Sequence, residues 1–290
     1  MRTRTKTACL TVLVAAAGSL ACRGGETDSS VPLVAGDVTV SCETKHLSYG
    51  LVDADDPVFK PYGELRFLGH ASVGSRFFID TSHYGEKVGR GDRAWDFWEI
   101  DFPAYVWHTF RKEDFAWLPT SVRLDAGYRY EYHPPRTGYH DTQFWVADVS
   151  LPDLWLVPTF SYERDTVNDD GTYLWLSLAH DFALAEGVNL NLMVSQGWGD
   201  RMRVRGYLPS PDLEGRLDRA GLMDTWLKAS LDWAICENLK VSVFVAYVDF
   251  LFDRHIRDAA RRYIKNNAGG RGSIHSSWTF PVGISVTYSF

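Results

Sequence analysis

The sequence predicts an all-β fold, an antiparallel up-and-down transmembrane β-barrel of about 12 strands with short turns at one end and long loops at the other. Three observations predict it. Most of the chain divides into segments of about 10–14 residues in which apolar and polar side chains alternate, the period of a strand with two unlike faces. The connections between these segments are alternately short and long. The chain also finishes on an apolar-alternating segment with an aromatic last residue, Phe290.

The first element is an address. Arg2, Arg4 and Lys6 form a positive start, Ala8 to Ala17 an apolar stretch, and Gly18 to Ala21 a small-residue end, the plan of a secretory signal peptide over residues 1–21. Cys22 follows and is a candidate for lipidation, although Ser19 stands where such sites favour Leu. Residues 22–37 are expected to be a polar tether, and 38–290 the barrel. Without residues 1–21, 27 basic and 37 acidic residues remain, a formal charge of −10 that disfavours a nucleic-acid partner.

Strands are expected near 38–49, 59–68, 70–80, 95–109, 119–133, 140–150, 154–165, 170–183, 188–198, 221–235, 238–251 and 277–290. The segment 122–132 shows why. Val122, Leu124, Ala126, Tyr128, Tyr130 and Tyr132 fall on one face, and Arg123, Asp125, Arg129 and Glu131 on the other. In a soluble sandwich the charged face would meet solvent. A sandwich, however, has no reason to sort connections by length, with Leu184 to Gly187 or Cys236-Glu237 at one end and 81–94, 199–220 and 252–276 at the other. A mean hydropathy of −0.21 excludes a polytopic helical membrane protein, which needs several apolar runs of about 20 residues. Cys42 and Cys236 show no CxxC spacing; they could pair in an oxidising compartment, but nothing in the sequence brings them together and they read as small wall residues.

Residues 280–290 read FPVGISVTYSF, with Phe280, Val282, Ile284, Val286, Tyr288 and Phe290 on one face. This resembles the C-terminal strand of bacterial outer-membrane β-barrels, closely over Gly283 to Phe290 and loosely over 38–290. The resemblance implies an outer-membrane location, periplasmic turns at the short end, and extracellular loops at the long end. It also implies that Gly283, Ile284, Val286, Tyr288 and Phe290 form a signal read by the barrel assembly machinery. Outer-membrane lipid and lipopolysaccharide would be its surroundings, and a monomer its expected state. Girdle aromatics are expected at Trp95, Trp98, Trp107, Trp117, Tyr128, Tyr130 and Tyr132, because amphipathic rings favour the headgroup level.

If the face opposite Phe290, Tyr288 and Val286 is the interior, the pore-lining charges are Glu64, Arg66, Arg76, Asp80, Glu99, Asp101, Arg123, Asp125, Arg129 and Glu131. Later strands add Asp148, Glu163, Asp165, Asp181, Lys228, Asp232 and Lys240. Eleven are acidic and six basic, a balance that favours cationic solutes if the lumen is open. The alternative is a polar core of paired charges that closes a narrow barrel. In the last long loop, Arg254, Arg257, Arg261, Arg262 and Lys265 recur at helical spacing opposite Ile256, Ala260, Tyr263 and Ile264, with Asn266 to Gly270 as a stop. That pattern suggests a basic amphipathic helix, a candidate plug or lipopolysaccharide contact, with a solvated loop helix as the bland alternative. The arginines of 199–220 look balanced by Asp200, Asp212, Glu214 and Asp218.

Catalytic patterns are weak. The outer-membrane phospholipase family places His and Ser two apart on one strand face, and His70-Ala71-Ser72 and His275-Ser276-Ser277 share only that spacing. The omptin proteases use Asp and His at the barrel mouth, where Asp169, Asp170 and His255 fall, but omptins have ten strands. No HExxH, P-loop or nucleophile elbow occurs, and the histidines lack paired spacing, so no metal or other cofactor is expected. Tyr162 to Leu178 is loosely similar to uncharacterised outer-membrane barrels. Acidic-sugar porins line their lumen with basic residues, unlike this interior. The expected function is passive diffusion of small hydrophilic solutes. A non-conducting scaffold barrel is second and an outer-membrane hydrolase third.

Overall fold

The structure is a computed structural model, and it describes residues 33–54, 56–81, 95–115, 117–135, 140–208, 217–267 and 278–290. Its strands are β1 (Val34–Glu43), β2 (His46–Ser48), β3 (Leu51–Ala54), β4 (Val58–Phe67), β5 (Ala71–Asp80), β6 (Asp96–Phe110) and β7 (Val122–Tyr132). Then come β8 (Thr142–Ser150), β9 (Val157–Asp165), β10 (Thr172–Ala185), β11 (Val188–Gly199), β12 (Gly221–Cys236), β13 (Leu239–Asp249) and β14 (Val282–Ser289). Among the described residues two helices, α1 (Arg201–Tyr207) and α2 (Arg254–Asn267), lie in the long connections after β11 and β13. Residues 1–32, including the signal segment and Cys22, lie outside the described residues, as do His275, Ser276 and Ser277.

Twelve strands form one closed antiparallel barrel, β1-β14-β13-β12-β11-β10-β9-β8-β7-β6-β5-β4, while β2 and β3 make a separate hairpin. Closure gives every strand two neighbours, so no edge is left open. At the seam Val40 stands opposite Val286 and Cys42 opposite Ile284. Thr39 and Thr287 share a hydroxyl hydrogen bond of 2.9 Å. The aromatic terminus is part of this seam: Gly36 and Phe290 exchange two backbone hydrogen bonds of 2.9 Å. A Cβ on Gly36 would lie 2.5 Å from the Phe290 ring, so the ring needs a glycine beneath it.

This places the start of the barrel earlier than the tether boundary at residue 37. Val34 pairs with Phe67 and Gly36 with Leu65, so residues 34–37 are wall. The expected first strand to residue 49 also stops early, at Glu43. Residues 46–54 turn away as a hairpin whose two-residue tip, Tyr49-Gly50, has positive φ at both positions, 49° and 78°. Those values suit a tight right-twisted hairpin, at a steric cost for tyrosine.

Each of the twelve wall strands leaves a large apolar side chain on the outside, among them Val38, Leu65, Val73, Val106, Leu124, Phe160, Leu176, Val194, Leu227 and Val245. A continuous apolar belt of this kind suits hydrocarbon rather than water. Cys42 and Cys236 pack in one outward patch with Leu239 and Val286, but Cys236 is disulfide-bonded, which corrects its reading as a mere wall residue. Trp95 and Trp117 are exposed, as girdle residues should be. Trp98 and Trp107 are corrections. A register shift in β6 leaves Trp98 as an extra residue between Phe97 and Glu99, and it is buried with Val58 and Phe78. Trp107 faces the interior, with the Arg123 guanidinium 5.4 Å from its ring centre.

Candidate functional site: a charged and aromatic layer inside the barrel

The interior differs at its two ends. Toward the short-turn end the inward positions of β10, β11, β12, β13 and β14 carry small polar groups such as Ser177, Asn191, Ser230, Ser242 and Thr287. Alternation from Gly197, Lys228 and Gly283 fixes this face as inward. Toward the long-loop end lies a cavity of about 1000 Å³. Its walls include the aromatic residues Phe78, Trp98, Tyr173, Trp175 and Trp226 and the loop residues His46 to Tyr49. They also include seven carboxyl groups, on Glu99, Asp101, Glu131, Asp148, Glu163, Asp169 and Asp224, against the guanidiniums of Arg76, Arg129 and Arg205.

The predicted interior charges are all on inward positions, and they fall into pairs and outliers. Arg66 meets Asp37 at 2.7 Å, Arg123 meets Asp125 at 2.7 Å, and Lys240 reaches Asp232 at 3.9 Å. Glu64 lies opposite Asp37 in the register and Gly74 on its other side. The guanidinium of Arg76 sits 5.0 Å from the Tyr62 ring centre, and Lys228 sits 4.8 Å from that of Phe244. Asp80 is buried at the long-loop end of β5. Asp181 accepts from the Asn191 amide at 2.8 Å. Asp165 does something else: it accepts from the Thr142 hydroxyl and the N–H groups of Val167 and Asn168, each at 2.8 Å, and so shapes the β9–β10 loop.

Arg129 is the hub of the wall. It forms an ion pair with Glu131 at 2.9 Å and donates a hydrogen bond to Glu163 at 2.8 Å, and its guanidinium lies 4.5 Å from the Phe144 ring centre. Over this hub the loops deliver a second arginine. Asp200 caps α1, accepting from the Arg203 N–H at 2.8 Å and from the Thr172 N–H at 2.9 Å. This turns Arg203, 0% exposed, down into the barrel. Its guanidinium lies 4.7 Å from the Tyr49 ring centre, 5.2 Å from Tyr207 and 5.5 Å from Phe144. It approaches Asp169 at 3.4 Å and Glu163 at 3.7 Å, and donates to the Gly171 carbonyl at 3.3 Å. Burial raises the Asp169 carboxyl to about 6, against the opposing charge of Arg203.

The hairpin closes the layer from the opposite wall. The Tyr49 hydroxyl donates to Glu163, and its ring meets Tyr173 and Tyr207 at 4.8 and 4.6 Å. Tyr173 and Trp226 both donate to Asp224, at 2.7 and 2.6 Å. Glycines permit the crossing: a Cβ on Gly50 would lie 2.4 Å from Asp224, and one on Gly171 2.3 Å from the Arg203 backbone.

Helix α2 has the expected extent, and its polarity can be followed over residues 254–261. Ile256, Ala259 and Ala260 are buried against Leu51, Leu208, Met223 and Phe250. Arg254 is 82% exposed, and Arg254 and Arg261 each reach Asp258, at 3.8 and 3.6 Å. Arg257 is partly buried, and the side chains of Arg262 and Lys265 lie outside the described residues. Of the candidate catalytic groups, His70 lies beside His108 with ring centres 6.0 Å apart and planes tilted by 37°, while Ser72 is buried. Asp169 is held by Arg203, and His255 is at the exposed start of α2.

Arg203, Tyr49, Tyr173, Tyr207 and Asp224 were not predicted. The arginines of the loop do include one balanced neighbour, since Arg201 pairs with Asp218, but Arg203 points to another side of the same helix. Tyr49 sat in an assumed strand, although Tyr-Gly before an apolar residue is a turn signal. Asp224 falls at the register shift of β12, where alternation fails. Glu99, Asp101 and Glu131, each expected as an interior charge, lie together in the barrel wall. Glu99 and Asp101 share a face at spacing two, but their meeting with Glu131 depends on the β6–β7 register.

A closed, even-stranded antiparallel barrel with an apolar outside and a polar inside has the architecture of a transmembrane β-barrel of the outer-membrane kind. No protein-family profile matches the chain, and the comparison with curated proteins found no match. Among solved structures, the chain is similar to the KdgM porin, at 10% identity over 88% of this chain and 99% of that one, with a TM-score of 0.48. The COG4313 outer membrane channel from Pseudomonas putida F1 gives 10% identity over 93% and 100%, also at 0.48. The outer membrane protein opdK from Pseudomonas aeruginosa gives 11% over 90% and 67%, at 0.36. At such identities no substrate transfers.

Proposed function

We propose that the barrel is a passive diffusion channel for small hydrophilic solutes, with cationic ones favoured. The observation that carries this reading is the acid-rich cavity, in which, among the described residues, seven carboxyl groups face three guanidiniums. Such a lining lowers the energy of a cation relative to an anion in the confined space. The test is single-channel current through refolded residues 22–290 in a planar bilayer under a salt gradient. Discrete cation-selective steps are expected. A silent bilayer from protein whose folding is confirmed by heat-modifiable gel migration would overturn the proposal.

A second reading, a barrel shut at its long-loop end, is favoured by Arg203, which joins α1 to Tyr49, Phe144 and Asp169. In either case the remaining roles follow the sequence. Residues 1–21 direct export, the chain works as a monomer, and Gly283, Ile284, Val286, Tyr288 and Phe290 are read by the assembly machinery. The basic face of α2 acts as a constriction over the acidic mouth or meets lipopolysaccharide phosphates. Replacing Arg257, Arg261 and Arg262 by Glu should change the conductance if α2 is a constriction, and unchanged currents would exclude that role.

A further inference from the structure

Two tryptophans give the cavity wall an aromatic platform. Trp175 on β10 and Trp226 on β12 both line the cavity and are half-buried. Between them runs β11, which presents only Gly197 opposite Trp175 and Ser195 opposite Trp226. The Tyr173 hydroxyl passes over Gly197 to reach Asp224 at 2.7 Å. A Cβ on Gly197 would collide with that hydroxyl and lie 2.7 Å from the Asp224 carboxyl, so the crossing needs a glycine. The other carboxyl oxygen of Asp224 accepts from the Trp226 Nε1–H at 2.6 Å. Tyr173 and Asp224 are buried, so this chain of two hydrogen bonds holds the Trp226 ring in one orientation.

A second observation concerns what the neighbouring rings do. Arg129 lies over Phe144, and Arg203 lies against Tyr49, Phe144 and Tyr207. The layer therefore already holds cations by ring faces. Among the described residues, no cation and no second ring packs against the face of Trp175 or Trp226. Indole attracts a cation more strongly than phenol or benzene does, so the strongest faces are the ones left to the cavity.

We propose that the wall formed by Trp175 and Trp226 binds an alkylated ammonium group of the choline type. This names the solute class of the channel and rests on the reading of the barrel as one that favours cations. The charge of such a group is spread over its methyl groups, so it sheds water more easily than sodium or potassium and gains more from a ring face. Its methyl groups also bury apolar area against the indoles, which a bare metal ion cannot do. The negative face of an aromatic ring repels an anion, so the platform sorts solutes in the same direction as the carboxyl groups around it.

Titration calorimetry with choline chloride tests the site, on the folded full-length barrel in a maltoside detergent, which carries no ammonium group of its own. Sodium chloride holds the ionic strength constant. Saturable binding of about one choline per chain is expected, about tenfold tighter than that of its neutral isostere, in which a tert-butyl group replaces the trimethylammonium. Trp175→Leu and Trp226→Leu should each weaken choline binding about fivefold, and Trp226→Phe, which keeps a ring, should lose less. Trp233→Leu, on the exposed outer face of β12, should leave it unchanged. Absence of saturable heat with choline, equal binding of the neutral isostere, or wild-type binding by both leucine variants would each overturn the proposal. If the leucine variants fail the gel-migration test for folding, the two wild-type titrations decide alone. The readout needs no current, so the two readings fail separately. Cation-selective current without choline binding removes this site alone, and choline binding to a silent barrel upholds the site and removes the channel.

Discussion

The guanidinium of Arg203 lies 4.7 Å from the ring centre of Tyr49, though the two residues come from loops on separate hairpins of the barrel. Each is costly where it stands. Arg203 is a buried charge, and Tyr49 is a tyrosine at positive φ. Their contact is where the loop layer is tied together, so its removal should be felt in both stability and permeation.

Arg203→Ala leaves Asp169 without its buried counter-charge and Glu163 with Arg129 alone. A loss of roughly 3 kcal/mol in stability is expected, the scale for breaking a buried pair. The single-channel conductance should rise and its cation selectivity increase. Unchanged current from a folded variant would show that this arginine does not restrict the lumen.

Asp169 gives the pH dependence. Its carboxyl titrates at about 6 in the folded protein against an ordinary 3.8, so the folded state holds the proton more tightly than the unfolded chain does. The stabilisation is therefore fully present below about pH 4 and is lost as pH rises through about 6. The midpoint of thermal unfolding, followed by gel migration, should be higher at pH 5 than at pH 7. Asp169→Asn should flatten that difference, and an unaltered pH profile would rule out this residue as its source.

Gly36→Val tests the seam. The new side chain would meet the Phe290 ring, which already lies within 2.5 Å of an added Cβ. Slower assembly and a smaller heat-resistant fraction are expected, with partial recovery in a Gly36→Val, Phe290→Ala double variant. Full assembly of the single variant would mean that the terminal ring is free to move away.

The two faces of β12 can be separated by the same substitution. Leu227 is outward and Ser230 inward. Leu227→Arg should cost roughly 2–4 kcal/mol, the scale for arginine facing hydrocarbon near the midplane. Ser230→Arg should cost far less and instead reduce cation current. Equal costs at the two positions would contradict the assignment of faces.

The wall was legible because its physics is local. Val122 to Tyr132 alternates without interruption, and the expected strand at 119–133 contains the whole of β7, overshooting it by three residues at the start and one at the end. Where a register shift inserts one residue, local parity stops working, and Trp98 and Asp224 were lost for that reason. Lys60 and Glu43, an interior pair at 2.6 Å, were missed because Pro61 and the early turn after Glu43 obscured the first two strands. The layer inside the barrel was less legible still. Its members, Tyr49, Glu163, Asp169 and Arg203, are brought together by loops, and nothing in the spacing of 49 and 203 announces that they meet.

The hydroxyl contact of Thr39 with Thr287 joins positions 248 residues apart. The barrel therefore closes through one of the longest-range pairings its chain offers, and such pairings are slow to form because the entropy of a long open chain opposes them. Every earlier hairpin can pair with its neighbour as it emerges, yet each such partial sheet ends in two unsatisfied margins until the last strand arrives. Maturation is thus all-or-nothing at its final step, and an interrupted chain is left as an adhesive sheet rather than a smaller barrel.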